Sequence, residues 1–451
     1  MSEDSKASFL RQSGWMAAAT AIGGAASFAA HIFAKDMPKE EYGGFTAMLQ
    51  LLNLIAIPAI GLQAVFAVKS AERKTEADDF RMAREQWAIT VVVLGLAVMV
   101  FIGARLNGDS LVNALSLPSW WVMAFTLGAG VFALLMPMMF GVLQGRQNFL
   151  WLGWAMLSLG VLRLAAMAGL IRLHDETAIN GMIAVAAGYV LAFGIALSTA
   201  KLPRLEPAEW LSSVTRIDWR DLAKRFLPLS IGGGTVIFMM SVDMLVVQRF
   251  FDESQTGYYA AAGMIGRALI FFVGPMVAVM FPKIVKSHAE QKPTDVLRFT
   301  LLLTAGLCAV AVVLGVTVPD LPLRMVYDDS FLKATPLVPW FIAAMAPLAL
   351  TAVLVNNILA RCKSNNVYLL LGVPVIYGGM LWFVGPQIAD QTASEFNVHA
   401  HISMVQLIGM GNLCFLASTV ILTWVVNQEE KLRLAQTPPD ENPSPDEVEA
   451  R

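Results

Sequence analysis

Segment 232–283 constrains the chain more than any other. It reads GGGTVIFMMSVDMLVVQRFFDESQTGYYAAAGMIGRALIFFVGPMVAVMFPK, two long apolar runs joined by a short polar turn, and each run carries one charge deep inside it. Runs of this length suit a hairpin of membrane-spanning helices. Asp243 precedes the turn at 252–257 by about as many residues as Arg267 follows it. At a rise of about 1.5 Å per residue, two antiparallel helices bring these side chains to similar depth. A lone charge in hydrocarbon costs a few kcal/mol or more, so each is expected to be paired or to face a watered cavity.

The rest of the chain agrees with that reading. It is 57% hydrophobic and 15% charged, against roughly 45–50% and about 25% in a soluble domain. Apolar runs recur at 14–33, 43–68, 87–103, 120–143, 149–171, 179–199, 226–250, 258–282, 299–318, 336–360, 367–388 and 402–426. The expected fold class is all-α and integral to the membrane, with twelve transmembrane helices. The first run lacks a small-residue cleavage site and is read as an uncleaved helix. The expected divisions are an N-terminal six-helix bundle over 1–200, a connector over 201–225, a C-terminal six-helix bundle over 226–427 and a disordered tail over 428–451. Within the connector, Trp210 and Trp219 among bases and acids read as an interfacial helix, and the tail is proline-rich and acidic.

Several chemistries are excluded. Cys308, Cys362 and Cys414 have no paired spacing, and the five histidines show no HExxH pattern, so neither a disulfide framework nor a zinc site is indicated. His399 and His401 supply only two ligands. The GGGT stretch at Gly232 lacks the Gly-Lys-Ser/Thr ending of a phosphate loop. No cofactor and no nucleic-acid partner are expected, and soluble-enzyme chemistry is not.

Basic residues alternate between loops. One side would hold Lys69, Arg73, Lys74, Arg81, Arg84, Arg146, Lys201, Arg204, Arg216, Arg220, Lys224, Arg225, Lys283, Lys286, Lys292, Arg361 and Lys363, the other only Lys35, Lys39, Arg105, Arg172, Arg249, Arg324 and Lys333. The excess falls on the side of the termini, which places both in the cytoplasm and the protein in the inner membrane. Trp87, Trp120, Trp121 and Trp424 stand at run ends, where aromatic belts form.

The two halves read as copies. Segment 33–69 matches 247–283 without a gap: Lys35 with Arg249, Gly43 with Gly257, Ala47 with Ala261, Lys69 with Lys283. With an even number of spans in each half, the copies share an orientation and are related by a pseudo-two-fold along the membrane normal.

The course D-x-x-x-V, G-x-Y-x-A-A and P-x-x-x-x-x-F-P-K over 243–283 resembles the polysaccharide-export branch of the multidrug/oligosaccharidyl-lipid/polysaccharide (MOP) exporter superfamily. Glu40-Glu-Tyr-Gly-Gly-Phe45 and Gly141-Val-Leu-Gln-Gly-Arg-Gln-Asn-Phe149 are similar to its second helix and its fourth-to-fifth helix turn. The resemblance implies two six-helix bundles around a central cavity and the flipping of a polyprenyl-pyrophosphate-linked oligosaccharide. Gly232-Gly233-Gly234, opening the seventh span, is the departure to note.

Such a substrate needs a polar path, because its headgroup would lose its hydrogen bonds in lipid. Arg163 and Arg267, each within a span, are the candidates to hold the pyrophosphate. Asn53 falls where the repeat places Arg267, and with Gln50 it is expected to line the first bundle's side of the cavity or to hydrogen-bond neighbouring helices. Asp243 is read as the ion-pair partner of Arg267 or as the carrier of a coupling proton or sodium ion. Pro58, Pro275 and Pro347 are expected to bend their spans. Expected partners are the lipid-linked oligosaccharide, membrane lipid and a glycan polymerase or glycosyltransferases. Rival readings are an ion-coupled drug exporter, for which acidic cavity residues would be expected, and an integral-membrane glycan polymerase or ligase, for which a large outer loop would be expected.

Overall fold

The structure is a computed structural model of the 451-residue chain and describes residues 3–203, 205–289, 295–361, 366–389 and 396–436. The N-terminal half comprises α1 (Glu3–Ala34), α2 (Lys39–Ile55), α3 (Ile57–Glu72), α4 (Glu76–Leu106), α5 (Gly108–Ala114), α6 (Trp120–Gly145), α7 (Phe149–Leu173) and α8 (Ala178–Ala200). A short α9 (Pro207–Thr215) connects it to α10 (Trp219–Phe250), α11 (Glu253–Ala289), α12 (Val296–Thr317), α13 (Leu321–Val326), α14 (Val338–Arg361), α15 (Gly372–Ala389) and α16 (Val398–Gln436). Among the described residues eleven helices are long and apolar enough to cross a membrane, and α2 and α3 form a bent pair that makes the count twelve. Each half therefore holds six spans. The face where the spans begin and end is called here the terminal face, and its opposite the distal face.

The bend between α2 and α3 is 41° and sits where Pro58 removes a backbone donor from the ladder. The Pro58 carbonyl instead accepts from the Ser230 hydroxyl at 3.0 Å, and the Ser230 hydroxyl oxygen accepts from the Gly61 N–H at 3.2 Å. The bend is thus pinned to the start of α10, in the other half. On the outside, Val98, Met99, Val100, Phe101 and Ile102 of α4 are all exposed, as expected of a helix whose solvent is lipid.

Toward the distal face the halves meet along α2, α10 and α11. Gly43 and Gly257, matched in the repeat, both lie on this seam. A Cβ on Gly43 would overlap the Thr256 hydroxyl, and one on Gly257 would stand 2.5 Å from the Lys39 carbonyl oxygen. Only glycine lets the backbones approach this closely. Lys35 pairs with Asp328 at 3.5 Å across the same seam, and the Lys39 ammonium lies 5.4 Å from the Tyr258 ring centre.

Two boundaries differ from expectation. The connector is not one interfacial helix: α9 ends at Thr215, and α10 begins at Trp219 because the Asp218 carboxylate caps it, accepting from the Arg220 and Asp221 N–H groups at 3.0 Å each. Trp210 of α9 stacks on Trp87 of α4, with ring centres 4.2 Å apart. At the other end α16 continues helical through Gln436; the remainder of the expected tail, 437–451, lies outside the described residues.

On the terminal face part of the basic excess is neutralised locally. Lys69 pairs with Glu85 at 2.5 Å, and Asp79 takes both Arg73 and Arg146, the latter at 2.7 Å. Carboxylates weigh little in setting orientation, so the asymmetry of the bases still stands.

Candidate functional site between the halves

A cavity of about 260 Å³ opens between α1, α2, α7, α8 and α11. Its polar wall is made of His31, Thr46, Gln50, Asn53, Arg163 and Tyr189, and α11 closes it from the second half with Met264 and Phe271. Gln50 and Asn53 are one turn apart on α2, and the Asn53 amide donates to the Gln50 carbonyl oxygen at 3.1 Å. That bond leaves the Gln50 amide donors and the Asn53 oxygen available to a guest.

Arg163 projects from α7. Its Nε and Nη2 are buried with no hydrogen-bond partner among the described residues. A guanidinium keeps its charge and presents donors in a planar fork that matches phosphate and carboxylate oxygens. No carboxylate lines this cavity among the described residues. Three of the residues singled out from the sequence, Arg163, Gln50 and Asn53, are thus brought together.

Arg267 is set apart from them. It is 1% exposed and turned into the second half, away from the cavity wall. Its Nη2 stands 2.5 Å from the Asp243 carboxylate, its Nε donates to the Met240 carbonyl at 2.8 Å, and its guanidinium lies 5.9 Å from the Phe341 ring centre. Tyr259 donates to the same Asp243 oxygen at 2.8 Å. Asp243 is fully buried, and of the two roles considered for it the ion pair is the one its surroundings describe.

Two polar residues elsewhere hydrogen-bond the backbone of their own segments. Asn356 donates to the Ala352 carbonyl of its own helix at 2.9 Å, and His401 Nδ1 lies 2.8 Å from the Asn397 carbonyl. No cluster of metal-ligating side chains occurs among the described residues.

Sequence reasoning missed the buried aromatic chain beside the cavity. His31 Nδ1 lies 3.0 Å from the Tyr42 hydroxyl, which lies 2.6 Å from the Tyr327 hydroxyl of the second half. The available signal was a lone histidine in the first span, outside the stretch where the repeat aligns.

Residues 9–288 match the family described as polysaccharide biosynthesis protein. The chain belongs to this family. No curated protein sequence matches it. Among solved structures, the chain is similar to an inward-facing multidrug resistance MATE family transporter of the MOP superfamily, with TM-score 0.67 and 13% identity over 92% of this chain and 96% of that one. It is also similar to the lipid II flippase MurJ in an inward closed conformation, with TM-score 0.62 and 13% identity over 95% and 93% of the two chains. A third likeness is to a MOP superfamily transporter from Pyrococcus furiosus titled for the reverse polarity of its binding pocket, with TM-score 0.59 and 14% identity over 93% and 95%. The fold is that of the MOP superfamily, twelve helices in two bundles.

Proposed function

We propose that this protein carries a polyprenyl-pyrophosphate-linked oligosaccharide from the cytoplasmic to the outer leaflet by alternating access, for cell-surface polysaccharide biosynthesis. The observation that carries the reading is the guanidinium of Arg163, whose Nε and Nη2 have no partner among the described residues, in a cavity between the halves with no carboxylate among its described lining residues. Arg163 binds phosphate oxygens, Gln50 and Asn53 hydrogen-bond the headgroup, and the isoprenoid tail stays in lipid. At about 260 Å³ the cavity is smaller than ordinary ligand sites of roughly 300–1,000 Å³. It seats the diphosphate in a closed state, and the halves part to admit the sugars. The excess of bases on the terminal face supports a cytoplasmic position for it, the side on which the substrate is loaded.

A cationic-drug exporter on the same fold is the second reading. The polarity of the cavity disfavours it, since a cation would be repelled by Arg163 and find no carboxylate among the described lining residues. The two readings separate in reconstituted vesicles: labelled lipid-linked oligosaccharide is expected to move between leaflets. Efflux of a cationic drug by an intact protein that moves no lipid-linked oligosaccharide rejects the first reading.

A further inference from the structure

An apolar groove of about 430 Å³ lies on the outside of the first half, between α4 and α6 and against Ile55, the last residue of α2. No polar side chain lines it among the described residues. It follows α4 from Val93 to Ile102, from mid-membrane toward the distal face, beside the exposed row at 98–102. Its volume falls within the range of ordinary ligand sites.

The second half has the same groove. Ile55, Leu96 and Gly128 line the first, and Leu269, Val310 and Ile342 line the second, each pair related by the spacing that relates Gly43 to Gly257. The two are finished differently. Pro322 and Met325 of α13 form part of the second groove's wall, and Phe28 of α1 closes it from the other half. In the first half α5, which follows α4 as α13 follows α12, contributes no lining residue, and neither does any helix of the second half. What covers the first groove in a membrane is therefore a hydrocarbon chain.

Its distal mouth carries a charge. Arg105 stands one turn beyond Phe101 on α4, so the two project from one face, and Phe101 is a wall of the groove. The Arg105 guanidinium lies 5.9 Å from the Trp120 ring centre, and Phe101 packs on the same ring at 6.0 Å between centres. Arg105 is exposed, and its side chain makes no ion pair or hydrogen bond among the described residues. The matching positions in the second half are Pro319 and Ala334, and the base near them, Arg324, is tied to Asp320 at 2.8 Å. The unpaired cation and its aromatic partner thus belong to the uncovered groove alone.

We propose that this groove is a binding site for an anionic phospholipid of the distal leaflet, with an acyl chain packed between α4 and α6 and the phosphate on Arg105. A guanidinium fork matches phosphate oxygens, and Trp120 stands at headgroup level as interfacial aromatics do. The tail of a transported lipid is a poorer occupant. No residue lines both this groove and the polar cavity, whereas Phe28 lines both the cavity and the second groove.

The test uses the full chain in phosphatidylcholine vesicles with a trace of either phosphatidylglycerol or phosphatidylcholine bearing a photoreactive diazirine in the acyl chain, and adducts are mapped by mass spectrometry. Labelling of 93–102 and 127–134 by the phosphatidylglycerol probe is expected to exceed that by the phosphatidylcholine probe about fivefold. No such ratio is expected on α12, whose exposed Leu302 and Val313 report ordinary lipid contact. Arg105→Gln is expected to lose the preference and Arg105→Lys to keep part of it. A Cβ on Gly128 meets nothing within 4 Å, so Gly128→Leu fills the groove without disturbing its neighbours and is expected to remove labelling there by both probes. Equal ratios on the groove and on α12, a parental preference in Arg105→Gln, or undiminished labelling in Gly128→Leu overturns the inference. Displacement of the probe by unlabelled polyprenyl phosphate assigns the groove to an isoprenoid chain. Stoichiometric disulfide dimers of Leu96→Cys, with Cys308, Cys362 and Cys414 replaced by serine, assign it to a second copy. Either result overturns the phospholipid.

Discussion

Asn53 and Arg267 occupy the same position in the two copies of the internal repeat, and the fold puts them to opposite uses. Asn53 hydrogen-bonds Gln50 at the edge of the cavity, whereas Arg267 is sealed against Asp243 inside the second half. The first half thus keeps an open polar site where the second has filled the equivalent space with an ion pair.

The ion pair predicts a specific pattern of stability. Arg267→Met or Asp243→Leu alone leaves a buried charge uncompensated and is expected to cost about 3–5 kcal/mol. The double substitution removes both charges and is expected to recover most of that loss. Thermal unfolding of the four proteins in detergent measures the cycle. Transport by the double variant then separates structure from substrate binding, and it is expected to remain near the parental rate.

The distal seam should be sensitive to a single methyl group. Gly257→Ala sets a Cβ 2.5 Å from the Lys39 carbonyl oxygen, an overlap that typically costs about 1–3 kcal/mol. That cost applies only while the halves are closed on this face. Cysteine accessibility at the distal face is therefore expected to rise in Gly257→Ala, and Ala47→Gly, away from this contact, is expected to leave it unchanged.

The fold was legible because lipid imposes length and apolarity on every span, and the twelve runs correspond to eleven helices and the bent pair interrupted near Pro58. The short helices α5, α9 and α13 carry too few residues for any periodicity to register. Arg163, Gln50 and Asn53 converge because polar groups inside spans have few other places to go. The pairing of Arg267 with Asp243 was legible from their matched depth, but whether Arg267 also faces the cavity was not, because α11 is apolar on every side around it. Tyr42 and Tyr327 escaped because their contact joins the two halves, and neither neighbourhood hints at the other.

The polarity of the cavity predicts how it responds to a new charge. Asn53→Asp introduces a carboxylate beside Arg163, giving the guanidinium an internal partner, and is expected to weaken pyrophosphate binding by about tenfold or more. Asn53→Gln keeps the amide and is expected to change binding little. Calorimetric titration of the purified proteins checks both.

The central claim is that Arg163 receives the anionic headgroup. Its most direct test is the rate at which labelled lipid-linked oligosaccharide crosses vesicles containing the parent, Arg163→Lys or Arg163→Gln. A charge-assisted hydrogen bond lost from the bound state corresponds to about tenfold or more in rate or affinity, so Arg163→Gln is expected to fall at least that far and Arg163→Lys to retain an intermediate rate. Arg163→Gln carrying the lipid at the parental rate, with the protein folded and correctly inserted, contradicts the account.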